Sequence, residues 1–372
     1  MILFSFGYPP ADGGIARLAA EIATVAWSTG CNIRVVGQED DPIGLTVPPV
    51  PVERLTSARP MRELEALTLR PDWHADAVLS GIWYPEGVIA AARRPRFHAI
   101  LAHGMELMPP PQVWRQRIWA RLQRETLRSA DVVIANSRYT GELVRRFAPG
   151  AVVEVVPLGV DAERFNPSGR EAERLRRAWN GKRVVLSVSR LAGYKAHDTV
   201  MLAIAAMPPE ARVDLVYAIA GRGPAEQSLR DLAAKLGIAD HVAWLGFVDE
   251  ADLPALYAAA DLFALVTRES EVTREVEGFG LVFLEAQACS TPVIGSRTGG
   301  IPDAVVEDKG GWLIEADDVE GLSAHLLSLM QHPTRFREQG QRGRARVQHE
   351  CSWAAYWERV REVLHRHGAG IS

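Results

Sequence analysis

The sequence has few cysteines, no long apolar run and no excess of positive charge. Its three cysteines among 372 residues, Cys31, Cys289 and Cys351, have neither metal-site nor disulfide spacing, so buried free thiols in a reducing compartment are expected. No apolar run is long enough to span a membrane, and the first residues lack the basic stretch of a signal peptide, which favours the cytoplasm. The net charge of −4 gives no indication of a nucleic-acid partner.

Short apolar runs alternate with longer helical patterns along the whole chain. Twelve runs have the length and composition of strands, among them Ile2–Phe6, Ala77–Ser80, Val132–Ala135 and Trp312–Ile314, and stretches such as Gly14–Thr29 lie between them. This alternation is typical of parallel sheets, and so many strands fit two doubly wound domains better than one sheet. The turn-rich segment Pro157–Pro167 is the expected division, and the proline-rich stretch 40–60 indicates a loop.

The most informative stretch is Glu277–Glu285, where a Gly-x-Gly turn and an apolar run separate two carboxylates. The run from Leu281 to Cys289 predicts a buried helix, on which the neighbours of Glu285 one turn away are apolar. Because an unpaired buried charge costs roughly several kcal/mol, Glu285 must meet a polar partner. Glu277 precedes the helix, where free backbone amides favour anions. The stretch therefore predicts a site for a polar, anionic ligand.

Turns that follow predicted strands carry glycines and cations. Gly13 and Gly14 end the loop after the first strand, where free amides can bind phosphate, although a tight strand-to-helix turn also explains them. Arg190 and Lys195 follow the first strand of the second half, and this pair suits a diphosphate; a solvated loop is the alternative. Gly221 lies in another such turn and is interpreted as keeping a ligand site clear.

A histidine, His103, ends one of the predicted strands of the first half. A lone histidine is often a structural residue with satisfied hydrogen bonds. In a doubly wound sheet, however, ligands bind at the carboxyl ends of the strands, so this position favours a functional role.

The stretch from 112 to 128 predicts a basic helix. It contains five arginines and a single acid, Glu125, and Trp114, Ile118 and Leu122 recur every four residues with Trp119 beside them. A helix of this composition can lie on an anionic membrane surface. An ordinary surface helix with an apolar stripe towards the core is the alternative.

Together these motifs resemble glycosyltransferase family 4, and the resemblance covers nearly the whole chain. Its most specific part is Glu277–Glu285, which matches the family's two glutamates with seven residues between them. The other matching segments are the Gly13-Gly14 loop, His103-Gly104, Asn136-Ser137-Arg138, Val156–Asp161 with Phe165, and the pair Arg190 and Lys195. The resemblance implies the α/β fold named GT-B, in which two doubly wound, Rossmann-like parallel-sheet domains face each other across a cleft. They would be residues 1–165, joined by a crossover helix at 352–372, and residues 166–351.

The resemblance also implies a hexosyltransferase that retains the anomeric configuration and uses a nucleotide-activated sugar without a metal or other cofactor. By position, Glu285 holds the ribose, and Glu277 and His103 contact the transferred sugar. Arg190 and Lys195 neutralise the charge of the leaving diphosphate. The further donor-binding residues expected are Gly13, Gly14, Gly221, Val248, Phe279, Gly280, Leu281 and Val282.

The identity of the donor and the acceptor is less constrained. The charged loop Thr267–Val276 is similar to those of mannosyl- and inositol-mannoside-type members, so GDP-mannose is the first donor expected and a UDP-hexose the second. Ala196 departs from the family pattern, in which a glycine more often follows the lysine. The acceptor is expected to be a hydroxyl of a glycan, a lipid-linked sugar or a small molecule. Its candidate contacts are Tyr8, Trp83, Tyr84 and Glu106, and the three rings either stack on a sugar or pack beneath the loops.

Two other functions are compatible with the same fold. A hydrolysing sugar-nucleotide epimerase would need additional carboxylates from the first domain, for which Asp12 and Glu106 are the nearest candidates. A non-catalytic nucleotide-sugar-binding protein is the other alternative, and the presence of both His103 and Glu277 favours an enzyme. The expected location is cytoplasmic, with membrane association on the cytoplasmic face through helix 112–128.

Overall fold

The computed structural model describes residues 1–9, 14–38, 50–57, 60–68, 77–109, 113–270 and 275–370. Gly13, Asp12 and the centre of the charged loop at 271–274 lie outside these ranges. The chain divides into two compact units, one made of residues 1–158 with 353–372 and the other of residues 159–352. Each unit is built around a parallel sheet.

Seven strands lie in the described ranges of the first unit. In chain order they are Ile2–Phe4 (β1), Arg34–Gln38 (β2), Val52–Leu55 (β3), Ala77–Ser80 (β4), Phe97–Ala102 (β5), Val132–Ala135 (β6) and Val153–Val155 (β7). They pair in the order β3-β2-β1-β4-β5-β6-β7, and every pairing is parallel. The helices between them are Gly14–Ser28 (α1), Met61–Thr68 (α2), Val88–Arg93 (α3), Val113–Ser129 (α4) and Arg138–Phe147 (α5).

The prediction of a loop at 40–60 was wrong for its second half, because β3 lies there. This strand forms the edge of the sheet and only its last residue, Leu55, is fully buried. A half-exposed edge strand lacks the continuous apolar run of a strand covered on both faces, such as the wholly buried β5. Pro51, directly before β3, is compatible with a strand start at a sheet edge.

The described part of the second unit contains six strands and eight α-helices. In chain order they are Arg170–Arg176 (α6), Arg183–Val188 (β8), His197–Ala206 (α7), Leu215–Ala220 (β9), Glu226–Lys235 (α8), Val242–Gly246 (β10), Leu253–Ala259 (α9), Leu262–Leu265 (β11), Leu281–Ala288 (α10), Val293–Ser296 (β12), Ile301–Ala304 (α11), Gly311–Ile314 (β13), Val319–Gln331 (α12) and Pro333–Glu350 (α13). The sheet order is β10-β9-β8-β11-β12-β13, again parallel throughout.

The last helix, Trp353–Arg366 (α14), belongs to the first unit, where it packs against α1. Its apolar face is buried, with Tyr356 and Trp357 each 1% exposed. At its carboxyl end, Arg366 and His367 both bond the carboxylate of Glu154 at 3.0 and 3.1 Å, and this charge pairing lowers the pKa of Glu154. Apolar burial and ion pairing together attach the helix to this unit.

Two expectations from composition are confirmed. Helix α10 is buried around most of its surface, and Cys31, Cys289 and Cys351 are buried free thiols. No helix among the described residues combines the length and the apolar character that crossing a bilayer requires.

In each sheet the strand order reverses next to the first strand of the unit. The reversal lies between β1 and β4 in the first unit and between β8 and β11 in the second. The loops on the two sides of such a point leave a crevice at the carboxyl ends of the strands, where doubly wound proteins bind their ligands. The ligand-binding residues predicted from the sequence are therefore expected near these two points.

Candidate active site

The reversal point of the second unit brings Lys195, from the loop after β8, onto Glu277, from the segment after β11. The Lys195 Nζ and Glu277 Oε2 atoms are 2.5 Å apart, and the two side chains are 11% and 18% exposed. Burial opposes the charge of Lys195, but the Glu277 carboxylate and Tyr194 together outweigh it and raise the pKa of the lysine. Arg190 lies on the same loop with an exposed side chain. The sequence predicts that Arg190 and Lys195 act together on a diphosphate. In the structure, Lys195 forms an ion pair with Glu277.

The backbone of Glu277 is fixed by a turn that the sequence analysis did not single out. Gly300 N donates to the Glu277 carbonyl at 2.8 Å. Gly299 has a φ of +53°, and a Cβ there would lie 2.3 Å from the same carbonyl. Thr298 joins this turn to β11 by donating from its hydroxyl to Thr267 O at 3.0 Å. The Gly299-Gly300 pair after β12 is the sequence feature that could have indicated this turn, because only glycine permits this close approach.

Gly280 begins α10 in a conformation that favours glycine. Its φ is +88°, and a Cβ would lie 2.6 Å from the Phe283 ring. The predicted glycine turn followed by a buried helix is therefore confirmed. The amides of Leu281 and Val282 open the helix, where backbone N–H groups have no carbonyl one turn earlier, and Phe279 is buried beside them. This end of the helix is suited to an anion or a hydroxyl oxygen.

Glu285 is 2% exposed, and its polar partner is Tyr257 on α9. The tyrosine hydroxyl donates to Glu285 Oε2 at 2.8 Å, and the Tyr257 ring is itself fully buried. The expectation that a polar group meets this carboxylate is confirmed within the protein. The sequence could not name Tyr257, because 28 residues separate the two and only the packing of α9 against α10 brings them together.

Gly221 allows two neighbouring strand ends to approach each other closely. Its φ is +138°, and a Cβ would lie 1.9 Å from Ser189 O, so the glycine lets the end of β9 pass against the end of β8. Gly223 does the same beside Leu191 O, at 2.2 Å. These glycines shape the loop that carries Arg190. Val248, the residue expected near the base, is half-buried in the segment after β10.

His103 lies at the carboxyl end of β5 and is held by three hydrogen bonds. Its Nε2 lies 2.7 Å from Gly81 O, its amide donates to Glu106 Oε1 at 2.6 Å, and its carbonyl accepts from Asn136 Nδ2 at 3.1 Å. Because a carbonyl only accepts, Nε2 carries a proton, which in a neutral ring leaves Nδ1 as an acceptor. Gly14, the first residue of α1, is exposed and also lies on the side of the carboxyl ends of the strands.

The aromatic residues of the first unit mostly pack inside it. Tyr8 is fully buried, which raises its pKa to about 12, and Trp83 is 1% exposed with its Nε1 donating to Glu106 O at 2.7 Å. Trp119 lies against Trp83 and Tyr84, with ring centres 4.9 and 4.8 Å away. Tyr84, 37% exposed, is therefore the one of the three candidate rings with a substantial accessible face.

A hydrogen-bonded chain lies beneath the loop of Arg190 and Lys195. His197 Nε2 is 2.9 Å from Ser189 Oγ, and its Nδ1 is 2.8 Å from the Tyr217 hydroxyl, which lies 3.0 Å from Ser187 Oγ. His197 is 2% exposed. Burial, helped by the charge of Lys195, lowers its pKa to about 3, so the ring is neutral.

We expect both units to lose stability in mild acid. Burial lowers the pKa of His98 in the first unit to about 4, as it lowers that of His197 in the second. The unfolded histidines titrate near 6.5, so between these values the unfolded chain binds the extra protons, and stability is complete above pH 6.5 and falls below it. Denaturant unfolding should show a loss of about 2 kcal/mol for each histidine from pH 6.5 to 5. His98→Gln and His197→Gln should each flatten this dependence; an unchanged slope in both would contradict its cause.

Within the described ranges, no three side chains of His, Cys, Asp or Glu group as a metal site. The grouped residues of the second unit are a lysine–glutamate pair, an exposed arginine, a helix start and a buried carboxylate. This set has the cations and amides to bind phosphate oxygens and the carboxylates to accept from hydroxyl groups. A phosphorylated, polyhydroxylated ligand fits it.

Comparison with known families agrees with this chemistry. Residues 12–164 match the family described as Glycosyltransferase Family 4, and residues 170–346 match Glycosyl transferases group 1. The chain belongs to glycosyltransferase family 4. The two matched regions together account for most of the chain.

Among the curated family 4 relatives are two mannosyltransferases. The GDP-mannose-dependent alpha-(1-6)-phosphatidylinositol monomannoside mannosyltransferase of Mycolicibacterium smegmatis is 36% identical over 63% of this chain and 62% of its own length. A Corynebacterium glutamicum enzyme acting on the monoacylated glycolipid is 36% identical over 66% of each chain. The D-inositol 3-phosphate glycosyltransferase 2 of Catenulispora acidiphila is 36% identical over 64% of this chain and 56% of its own. The match thus spans somewhat less than two thirds of these relatives.

Solved structures of this architecture cover nearly the whole chain. Sucrose-phosphate synthase of Thermosynechococcus elongatus has a TM-score of 0.79 and 22% identity, with 98% of both chains covered. HepE of Anabaena, solved in complex with UDP, has a TM-score of 0.78 and 21% identity over 98% of this chain and 99% of its own. With the two parallel sheets, these likenesses show that this family 4 chain has the GT-B fold.

Proposed function

We propose that the protein is a retaining hexosyltransferase that moves a sugar from a nucleoside-diphosphate donor to a hydroxyl acceptor without a metal. The observation that carries this proposal is the Lys195–Glu277 pair at the reversal point of the second sheet, near the start of α10. It provides a cation for a diphosphate and a carboxylate for a sugar hydroxyl at the place where doubly wound sheets bind ligands.

The leaving diphosphate gains negative charge as the glycosidic bond breaks. Fixed cations lower the energy of that charge without reorganising during the reaction. We assign this role to Lys195 and Arg190, with Gly14 as a further contact to phosphate. The acceptor hydroxyl bonds to the anomeric carbon from the face that the diphosphate leaves, and the leaving phosphate takes the hydroxyl proton, so no separate base is required. The product should therefore keep the anomeric configuration of the donor, which NMR of the isolated product measures.

The transferred sugar and the nucleoside have separate contacts in this proposal. Glu277 accepts from a sugar hydroxyl, and the amides of Leu281 and Val282 support the sugar or the phosphate. Glu285 accepts from the ribose hydroxyls. His103, whose Nδ1 is an acceptor in the neutral ring, contacts the transferred sugar. The base lies near Val248.

GDP-mannose is the first donor proposed, because family 4 relatives at 36% identity are named as GDP-mannose-dependent enzymes. UDP-hexoses come second. For the acceptor we propose an inositol-containing glycolipid or inositol phosphate, since the relatives are named for phosphatidylinositol monomannoside and D-inositol 3-phosphate. The cytoplasm is the proposed location.

A donor panel followed by a transfer assay tests this function. GDP, UDP, ADP and their sugars are screened by thermal shift, where a ligand at a hundredfold excess over its Kd stabilises by roughly 2.7 kcal/mol. The donor that binds is then incubated with phosphatidylinositol mannoside, inositol 3-phosphate or neither. Acceptor-dependent transfer supports the proposal. Release of an epimerised free sugar without acceptor would identify an epimerase, and binding without any turnover would leave a binding protein.

Helix α4 is the proposed contact with an anionic membrane. Four exposed arginines, Arg117, Arg121, Arg124 and Arg128, follow one another at helical spacings of three and four, and Ile118 beside them is 71% exposed. The aromatic contribution differs from the sequence prediction, because Trp119 packs against Trp83 inside the unit. Exposed arginines with an apolar neighbour suit an anionic surface.

We expect the double variant Arg117→Ser/Arg121→Ser to bind anionic vesicles about thirtyfold more weakly. Each basic residue near such a surface contributes about 1 kcal/mol, and about 1.4 kcal/mol corresponds to tenfold. Co-sedimentation with phosphatidylserine vesicles at low salt measures the effect. Arg337→Ser/Arg342→Ser, two exposed arginines of α13, is the matched control of equal charge. Equal binding by both double variants would contradict the role of α4.

A further inference from the structure

The loop that carries Arg190 and Lys195 is closed by a hydrogen bond between the two residues that flank it. Ser189 precedes residues 190–196 and His197 follows them, and Ser189 Oγ lies 2.9 Å from His197 Nε2. The two cations therefore project from a short loop whose ends are joined by side chains. A loop fixed in this way holds its cations at a set separation.

The direction of each hydrogen bond among these buried side chains follows from the carbonyl group at one end of the series. Ser187 Oγ donates to the carbonyl of Ala264 at 2.5 Å, so it accepts from the Tyr217 hydroxyl. The Tyr217 oxygen then accepts from His197 Nδ1 at 2.8 Å. In a neutral ring this leaves Nε2 as the acceptor, and Ser189 donates to it. The Arg190 carbonyl, 3.2 Å from Ser189 Oγ, is a second and longer acceptor for the same hydroxyl.

The local backbone needs such support. Ala196 has a φ of +52°, a left-handed conformation that is unfavourable for a residue with a Cβ. Ala196 is fully buried in the core of the second unit, which accounts for a side chain at this position. A strained conformation persists where its surroundings determine it, and His197 is the adjacent residue.

The opposite side of the loop is fixed to the segment that leads to Glu277. Arg268 N donates to Tyr194 O at 2.8 Å, and the Arg268 guanidinium bonds Asp198 at 2.9 Å and Asp317 at 2.7 Å. The loop of Lys195 is thus held by the neutral hydrogen-bonded chain of His197 and by the charged contacts of Arg268. We expect a change in the neutral chain to alter the position of Lys195 relative to Glu277.

We propose that His197 is a positioning residue, a neutral imidazole protonated on Nδ1 that holds the loop of Arg190 and Lys195 in the shape that binds a diphosphate. The ligand part of this proposal rests on the proposed function; the tautomer and the loop closure do not. A neutral ring suits this place because a cationic ring would repel Lys195.

Two measurements on the whole protein test the proposal. In ¹⁵N–¹H NMR spectra the His197 ring should be neutral at pH 7 with its proton on Nδ1, and the His197→Gln spectrum assigns the signals. Ser189→Ala should weaken binding of the bare nucleoside diphosphate about tenfold and lower kcat/KM for the donor ten- to a hundredfold, with a nearly unchanged melting temperature. Ser189→Thr, which keeps the hydroxyl, should restore both values to within about threefold of the parent.

His325→Gln is the matched control, because it removes another partly buried histidine of the same unit and should leave diphosphate binding unchanged. A proton on Nε2, or Ser189→Ala binding the diphosphate as the parent does, would overturn the proposal. So would equal losses in Ser189→Ala and Ser189→Thr. Failure of the proposed function has a different signature: the parent would neither bind a nucleoside diphosphate nor transfer a sugar, while the proton on His197 Nδ1 would still be observed.

Discussion

Replacing Glu277 with glutamine is expected to slow sugar transfer by about a hundred- to a thousandfold and, in the opposite direction, to tighten binding of the bare nucleoside diphosphate. The first effect is typical of losing one fixed group that stabilises a transition state. The second follows from the ion pair, in which Glu277 lies 2.5 Å from Lys195 and offsets its charge. Without the carboxylate, the whole charge of Lys195 faces the ligand, and we expect about tenfold tighter binding.

The same variant should be less stable without ligand. Lys195 is 11% exposed, and removing one partner of a largely buried pair leaves the other charge without compensation. Without Glu277, the main opposition to burial is lost and the pKa of Lys195 falls, so the gain in affinity should be largest below neutral pH. Calorimetry and thermal shift with GDP or UDP, whichever binds the parent, measure both effects.

Glu275→Gln is the matched control, since it makes the same chemical change two residues away on the same segment. It should change neither turnover nor nucleotide affinity by more than about threefold, in line with a substitution away from the site. Weaker diphosphate binding by Glu277→Gln would contradict the view that Glu277 restrains Lys195. Full turnover would contradict its contact with the sugar.

Glu285→Gln is expected to lose most of the preference for ribose. A carboxylate can accept from two vicinal hydroxyls while it also accepts from Tyr257, whereas a glutamine side chain has a single acceptor oxygen. Hydrogen bonds to charged groups contribute about 1.5–3 kcal/mol, so nucleotide affinity should fall at least tenfold. The parent should strongly prefer a nucleoside diphosphate over its 2′,3′-dideoxy analogue, and Glu285→Gln should bind the two with similar affinity.

Tyr257→Phe separates the orientation of this carboxylate from its charge. It removes the hydroxyl that donates at 2.8 Å and keeps the carboxylate, so the ribose preference should weaken but remain. Calorimetric titration with both nucleotides measures the preference. If Glu285→Gln discriminated between them as the parent does, Glu285 would not contact the ribose.

Buried strands were the part of the fold that the sequence specified best. Ala77–Ser80 and Val132–Ala135 have the same bounds in the prediction and in the structure, because a strand covered on both faces is a continuous apolar run. β3 was not predicted, because a half-exposed edge strand has no such continuous apolar run. The grouping into two doubly wound sheets followed from the alternation of strands and helices.

The sequence identified the chemical types in the candidate site better than their partners. It singled out Lys195, Glu277 and Glu285, but the contact of the first two joins residues 82 positions apart. That contact depends on β8 and β11 being neighbours, and strand order is not encoded in any local pattern. The partnership of Tyr257 with Glu285 likewise depends on how two helices pack.

The return of α14 to the first unit has a consequence for synthesis. Helix α14 follows the whole second unit in the chain, yet it packs against α1 with its rings and aliphatic side chains buried. While the second unit is being translated, the apolar surface of α1 in the first unit is not yet covered by α14. The ribosome therefore completes the inserted unit before the unit that surrounds it, and the nascent first unit depends on protection from aggregation until its last helix arrives.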